Sequence, residues 1–159
     1  MPSFISYIPT LPELINGFFE LAPMSANDVV YDLGCGDGRL LFAAIEHGAN
    51  KAAGIDLDSK LIIQAHAEAK KRGLDDRVNF ITGDIMNINL SPATVILCYL
   101  ISGALWDLKP KFESELRPGT KVVTETFPII GWKWNRMHVA QFGSEYRDFY
   151  LYVIPPEIE

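Results

Sequence analysis

The chain is 159 residues long, 48% of them hydrophobic, with a net charge of −6 and a pI near 5.0. That length supports one full core and is short for two, and the acidic balance argues against the broad basic surface with which nucleic-acid binders neutralise phosphate, leaving only a local patch open. Two cysteines, Cys35 and Cys98, exclude a disulfide scaffold or a thiolate zinc site and suit a reducing compartment.

"MPSFISYIPTLPE" has no basic region leading into an apolar run, and no stretch nears the roughly 18 apolar residues of a membrane span. The expectation is a cytoplasmic chain that does not insert into membranes. "LPELINGFFELAPM" has near-helical apolar spacing at Leu14, Ile15, Phe18, Phe19 and Leu21, with Pro12 suited to an opening turn, and reads as a lead-in helix. Strand one is Val29 to Leu33, followed by a glycine turn and a helix from about Arg39 that Gly48 ends. "AAGIDLD" is strand two, and a helix from Ser59, a plausible N-cap, to Arg72 leads to strand three, "RVNFIT". "GDIMNINLSP" is rich in turn residues, and "ATVILCYL" is apolar throughout, as a strand at the centre of a sheet should be. A helical stretch from Ser102 to Leu116, interrupted near Pro110, precedes strand five in "GTKVVTETFPI". "MHVAQFG" and "YRDFYLYVIPP", joined by "SE", then read as an antiparallel hairpin. Apolar strands alternating with amphipathic helices predict an α/β fold: a doubly wound, mostly parallel seven-stranded sheet with a C-terminal antiparallel hairpin, in one domain over residues 1–159.

Such a sheet binds ligands where its strand order reverses, at the carboxyl ends of the strands. The turn reads Gly34-x-Gly36-x-Gly38, with Asp32 two residues ahead of it. A dinucleotide site prefers a third glycine one residue later and sets a pyrophosphate on the helix N-terminus. A carboxylate beside the turn repels pyrophosphate and suits a ligand with a cationic end, such as S-adenosylmethionine. Asp56, with Leu57 beside it, closes strand two, where an acid accepts from ribose hydroxyls. Asp84 follows strand three, where a carboxylate can accept from an adenine amine while Ile85 covers the ring. Singly, each acid is equally a cap or turn residue; the three in order match the polar parts of S-adenosylmethionine.

"VVYDLGCGDGR", "GIDLD" and "ITGDI" resemble motifs I, II and III of the class I, seven-β-strand methyltransferases, over essentially the whole chain. "YIPTLPELI", "LKPKFESELRPGTKVV", "FPIIGW" and "YLYVIP" further resemble the small archaeal protein lysine methyltransferases of broad specificity, whose eukaryotic relatives act on mitochondrial membrane proteins. The resemblance implies a Rossmann-like methyltransferase fold, S-adenosylmethionine as donor with S-adenosylhomocysteine as product, no metal, and protein substrates presenting exposed lysines. It also lays the segment over residues 1–25 across the cofactor, with Tyr7, Pro9 and Thr10 as contacts.

For the acceptor, strand four ends in "LCYLISG" in place of the (Asp/Asn)-Pro-Pro-aromatic motif of many enzymes that methylate nucleic-acid amines, so no stable nucleic-acid binding is expected. Tyr99 either lines the acceptor channel or is a core aromatic. Glu125, late in strand five, either orients a lysine ammonium or points outward, and Phe127 and Trp132 are candidate channel walls. A methyltransferase of small molecules or RNA on the same core is the alternative. His47, His66 and His138 share no ligand-like spacing, and "KKR" at 70–72 suits a helix C-terminus.

Overall fold

A computed structural model describes residues 11–159. A 3₁₀ turn, Pro12–Leu14, leads into α1 (Asn16–Leu21), β1 (Val29–Leu33), α2 (Arg39–Glu46), β2 (Lys51–Asp56), α3 (Ser59–Lys71) and β3 (Val78–Thr82). A second 3₁₀ turn, Ile85–Asn87, precedes β4 (Val95–Cys98), α4 (Ser102–Glu115) and β5 (Lys121–Glu125). The chain closes with β6 (Trp132–Lys133), β7 (Arg136–Phe142), β8 (Glu145–Val153) and β9 (Glu157–Ile158).

Seven strands form one sheet in the order β3-β2-β1-β4-β5-β8-β7, parallel through β5 and antiparallel beyond it. The expected doubly wound sheet and terminal hairpin are present. Its central strand is β4, and all four of its residues are buried, as both faces of the sheet are covered there. The order reverses between β1 and β4, which puts the crevice beside the glycine turn.

Alternate residues of a strand face opposite sides. One face, including Val30, Leu97, Val123 and Phe149, packs against buried residues of α1, α2 and α3; the other, including Leu33, Ile96, Cys98 and Val122, packs against Leu105, Leu108 and Phe112 of α4 and against Trp132. With six residues, α1 is far below the roughly 12 that an isolated helix needs. It is held by burial of Phe18, Phe19 and Leu21, each contributing about 2 kcal/mol. Gly17 is required where α1 crosses the sheet, because a Cβ there would overlap the Phe149 ring.

The lead-in helix is shorter than expected, its first turn being 3₁₀. The N-cap of α3 is Asp58 and not Ser59: Oδ1 of Asp58 accepts from the amides of Lys60 at 2.9 Å and Leu61 at 3.4 Å. Pro110 does not interrupt α4, which runs through it. Its missing N–H would have bonded the Trp106 carbonyl, and both residues are exposed. The hairpin turn is Gly143-Ser144, one residue earlier than expected; Gly143 has φ +61 at the first central position, which a two-residue II′-type turn reserves for glycine. The ribbon of β6 and β9 is too short to leave a periodic signal in sequence.

Candidate active site

The register fixes the row of acids. Asp32 is level with Gly54 of β2 and Leu97 of β4; Leu97 is level with Val123, and Val123 with Leu151 of β8. Two residues further toward the carboxyl edge, Asp56 closes β2 and Glu125 closes β5, opposite Phe149. By alternation Asp56, Asp32, Glu125 and Arg147 share the face covered by α1 to α3. With about 4.8 Å between strands, Asp56 is one strand from Asp32, and Glu125 is two strands away on the other side, about 10 Å across.

The glycine turn consumes its own amides. Gly34 and Cys35 donate to the Ile55 carbonyl at 2.8 and 3.0 Å, Gly36 to Oδ2 of Asp56 at 2.9 Å, and Gly38 to the Cys35 carbonyl at 3.0 Å. Arg39, at the start of α2, donates its amide to Oδ1 of Asp37 at 3.2 Å. A pyrophosphate cradle needs free amides at this place; here protein carbonyls and carboxylates already take them. All three glycines have positive φ, +86, +56 and +85. A Cβ at Gly38 would also lie 2.6 Å from the Phe80 ring.

Burial pushes the Asp32 carboxyl up to about 8, and the charges of Asp56, Glu125 and Asp37 push the same way. Asp32 is 5% exposed. A cation placed beside this row relieves the repulsion, and the ammonium and sulfonium of S-adenosylmethionine supply that charge. Asp56 is half-buried; its Oδ1 accepts from the Asp58 amide at 2.9 Å and its Oδ2 from Gly36, so each oxygen keeps a lone pair for a ribose hydroxyl. Asp84 is exposed and caps the second 3₁₀ turn by accepting from the Met86 amide at 2.9 Å, while Ile85 is half-buried and Leu57 exposed. The residues present therefore fit the cofactor. Tyr7, Pro9 and Thr10 lie outside the described residues.

Of the residues expected to face the acceptor, Tyr99 directly follows β4 and is half-buried. Glu125 points inward and is fully buried, with Oε2 3.6 Å from Nε of Arg147. The next residue, Thr126, has φ +70, and the Phe127 amide donates to the Glu125 carbonyl at 2.8 Å. That is a γ-turn of the rare positive-φ kind, centred on a β-branched residue. Phe127 is half-buried against the α4-side core. Trp132 is not a channel wall. It is fully buried against Phe112 and Tyr152, and its indole Nε1 donates to Oε1 of Glu113 at 3.2 Å, near the C-terminus of α4. Tyr152 pairs with Val122, three residues back from Glu125, so Trp132 serves the opposite end of the sheet.

Sequence reasoning missed Arg147 and Thr126. Arg147 alternates with Phe149 and Leu151, so a basic residue at an inward strand position was the available signal. The histidines pack: His47 stacks on Phe19 and helps line a shallow cleft of about 340 Å³ at the far end of α2 from the glycine turn, and His66 bonds the Phe80 carbonyl at 3.0 Å. His138 lies 6.5 Å from the Phe149 ring. Arg72 pairs with Glu68 and lies over the Phe42 ring. Among the described residues, no group of three His, Cys, Asp or Glu could hold a metal ion, and no helix is long and apolar enough to cross a membrane.

The model of the ANTKMT methyltransferase domain matches residues 32–136. The chain belongs to that family. A curated protein-lysine N-methyltransferase of Saccharolobus islandicus is 37% identical over 94% of each chain. A ribosomal protein L11 methyltransferase of Shewanella woodyi is 33% identical over 77% of this chain, which spans only 40% of that protein. Among solved structures, an RNA methyltransferase from Salinibacter ruber in complex with S-adenosylhomocysteine is 34% identical, with a TM-score of 0.86 over 96% of this chain and 97% of that one. The chain is a class I, S-adenosylmethionine-dependent methyltransferase with the Rossmann-like fold expected for that class.

Proposed function

We propose that this methyltransferase acts on the ε-amine of lysine in proteins, with broad specificity. The observation that carries the reading is Glu125: a fully buried carboxylate at the carboxyl end of β5, two strands from Asp32 on the same face. A carboxylate at that place can pair with a cationic acceptor, whereas it offers nothing to a phosphate-bearing one. The Saccharolobus islandicus and Shewanella woodyi relatives are both described as acting on proteins. The Salinibacter ruber structure is described as an RNA methyltransferase, which keeps RNA as the reading to be tested against.

In this reading Asp32 and the glycine turn hold the methionine end of the cofactor, Asp56 the ribose, and Asp84 and Ile85 the adenine, with Leu57, Tyr7, Pro9 and Thr10 as further contacts. Tyr99 and Phe127 wall the acceptor channel. When bound, the cofactor supplies an electrophilic methyl group that the amine nitrogen takes as the carbon–sulfur bond breaks. Presenting a neutral amine at pH 7 from a lysine of ordinary pKa near 10.4 costs about 4 to 5 kcal/mol. Glu125 gathers and aims the ammonium; burial beside a second cation then favours loss of its proton to water. Between the described strands no insertion reads a peptide sequence, which supports broad specificity in a single domain. Cys35 and Cys98 are free and buried, which suits a reducing compartment such as the cytoplasm.

The test is transfer of labelled methyl from S-adenosylmethionine to a cell extract, with parallel samples treated with protease or nuclease. Label lost with protease, and found in methyl-lysine after hydrolysis, is the expected outcome. Label that survives protease and is lost with nuclease gives the RNA reading.

A further inference from the structure

The outer strand β7 has one neighbour among the described residues, β8, and runs beside it in unbroken register from Arg136 opposite Leu151 to Phe142 opposite Glu145. Its other edge therefore presents backbone. In a hairpin closed by a two-residue turn, Phe142 and Glu145 exchange the first bonds and the pairs then alternate, so Gln141, Val139 and Met137 turn their N–H and C=O groups away from β8. The bonds around β8 confirm this phase. On the β5 side Thr126 donates to the Asp148 carbonyl and Ile154 to the Thr120 carbonyl; on the β7 side Asn135 donates to the Leu151 carbonyl, and Val153 to Oδ1 of Asn135. Even-numbered residues thus bond toward β5 and odd-numbered ones toward β7. Proteins ordinarily blunt an open edge with lysine, proline or a bulge. From Met137 to Phe142 the strand has none of the three. Its outward residues are uncharged, Met137 and Val139 are 42% and 49% exposed, and Tyr146, opposite Gln141 on the same face, is exposed as well.

We propose that β7 is the interface of a homodimer: two copies of the chain pair their β7 strands antiparallel about a two-fold axis at Val139, joining two seven-stranded sheets edge to edge. In that register the strand is its own complement. Val139 lies opposite Val139 of the second copy and Met137 opposite Gln141, so the three residues with outward backbone groups meet one another and exchange bonds at every pair. A two-fold one residue away loses part of this. About His138 it sets Gln141 against Asn135, whose amide is already taken by Leu151, and about Ala140 it sets Met137 against Gly143 in the turn. Charge agrees with the Val139 axis: Arg136 falls opposite Phe142 and His138 opposite Ala140, so no like charges oppose one another. The interface is small, at or below the roughly 1,200 Å² where stable interfaces begin, so the dimer forms reversibly with concentration. Paired side chains share a face, which sets the axis perpendicular to the sheet. The carboxyl edges of the two sheets then point opposite ways, and each copy keeps its own glycine turn open. The inference is independent of which acceptor the enzyme methylates.

The test is analytical ultracentrifugation of the full-length protein from micromolar to several hundred micromolar concentration. The mass is expected to rise from the 17.8 kDa of one chain toward twice that value. Val139→Pro deletes the N–H at the axis, which makes no bond to β8 and lies on an edge strand where proline is tolerated, and it should hold the mass at one chain throughout, with folding checked by circular dichroism. Disulfide trapping tests the register without depending on that variant. Under mild oxidation Val139→Cys links two copies, because a bonded antiparallel pair sets its Cα atoms about 5.5 Å apart, within disulfide range. Met137→Cys alone does not, since two Met137 positions lie four residues apart, about 13 Å, whereas Met137→Cys mixed with Gln141→Cys does. The native Cys35 and Cys98 are buried and do not compete. A dimer that survives Val139→Pro, or equal linking of Val139→Cys and Met137→Cys, places the contact elsewhere and overturns the proposal. The mass of one chain at every concentration, with no linking of Val139→Cys, overturns it as well and leaves the edge to a strand of another protein.

Discussion

Asp32→Asn removes one titrating group from the acid row at nearly constant size. In the chain without ligand the Asp32 carboxyl is pushed up to about 8 from an ordinary 3.8, mostly by burial and next by Asp56. Below pH 4 the folded and unfolded chains both carry the proton, and the group does not affect stability. Between pH 4 and 8 the unfolded chain ionises while the folded chain keeps its proton, so stability falls as pH rises, and above pH 8 the loss is complete. The rise from 3.8 to about 8, at about 1.4 kcal/mol per tenfold, gives an upper bound of about 6 kcal/mol. Relaxation of the surroundings around a buried charge brings the expected penalty to half of that or less, about 2 to 3 kcal/mol. At about 2 to 4 °C per kcal/mol for a chain of this size, Asp32→Asn is expected to melt about 5 to 10 °C higher, relative to wild type, at pH 8.5 than at pH 4. Thermal unfolding of both proteins without ligand, followed by circular dichroism across that range, measures it. Adding S-adenosylmethionine supplies positive charge to the row and should narrow the gap, with proton release on binding at pH 6.5 visible as a dependence of calorimetric heat on buffer. A difference between the two proteins that is constant with pH, or that shifts against the variant as pH rises, refutes the electrostatic account of Asp32.

Three further outcomes are expected. Asp56→Ala weakens S-adenosylmethionine binding at least tenfold by calorimetry, because the substitution deletes the ribose acceptor and frees the amides of Gly36 and Asp58 together. Gly38→Ala sets a Cβ against the Phe80 ring at a φ of +85 and should cost about 2 to 3 kcal/mol in urea unfolding. Trp132→Ala costs about 3 to 5 kcal/mol of stability yet leaves KM for acceptor and cofactor unchanged in the folded fraction, since the indole packs at the far end of α4; a raised acceptor KM would return it to the channel.

How much was legible in the sequence depends on what each feature needs. Strands buried on both faces announce themselves through runs such as "VILC", and glycines at positive φ through their spacing, so the mostly parallel sheet and its glycine turn could be anticipated. Competition between adjacent candidates was not legible. Asp58 and Ser59 are both good caps, and only the extended backbone at Asp58 decides between them. Trp132 follows strand five closely in sequence, yet the loop after the γ-turn carries it back along α4, a reversal with no local signature. The inward direction of Glu125 likewise depends on coverage by a neighbouring strand, and that strand comes from the hairpin more than twenty residues later.

That hairpin separates the two halves of the site in physical terms. The proposed cofactor half is built from consecutive strand–turn units, where Asp32, Asp56 and the glycines lie within 25 residues and Gly36 donates to Asp56. The proposed acceptor half is assembled from distant parts: Glu125 from β5, near Arg147 of β8, with the amide of Thr126 bonding the Asp148 carbonyl to hold the two strands in register. On the proposed function, donor recognition should tolerate change in the C-terminal strands, to which acceptor choice should be exposed. Thr126→Gly separates the two. It relieves a left-handed backbone conformation that costs a β-branched residue about 1 to 2 kcal/mol, and it removes a buried hydroxyl without a partner among the described residues. The greater freedom of glycine in the unfolded chain offsets up to about 1 kcal/mol of the gain. The variant should melt no lower than wild type and bind S-adenosylmethionine equally well, while methyl transfer to a lysine peptide falls severalfold because the Glu125 carboxylate, the residue before the turn, loses its fixed position. A variant that is destabilised and transfers methyl normally would show that the turn at Thr126 serves folding and that the acceptor subsite lies elsewhere.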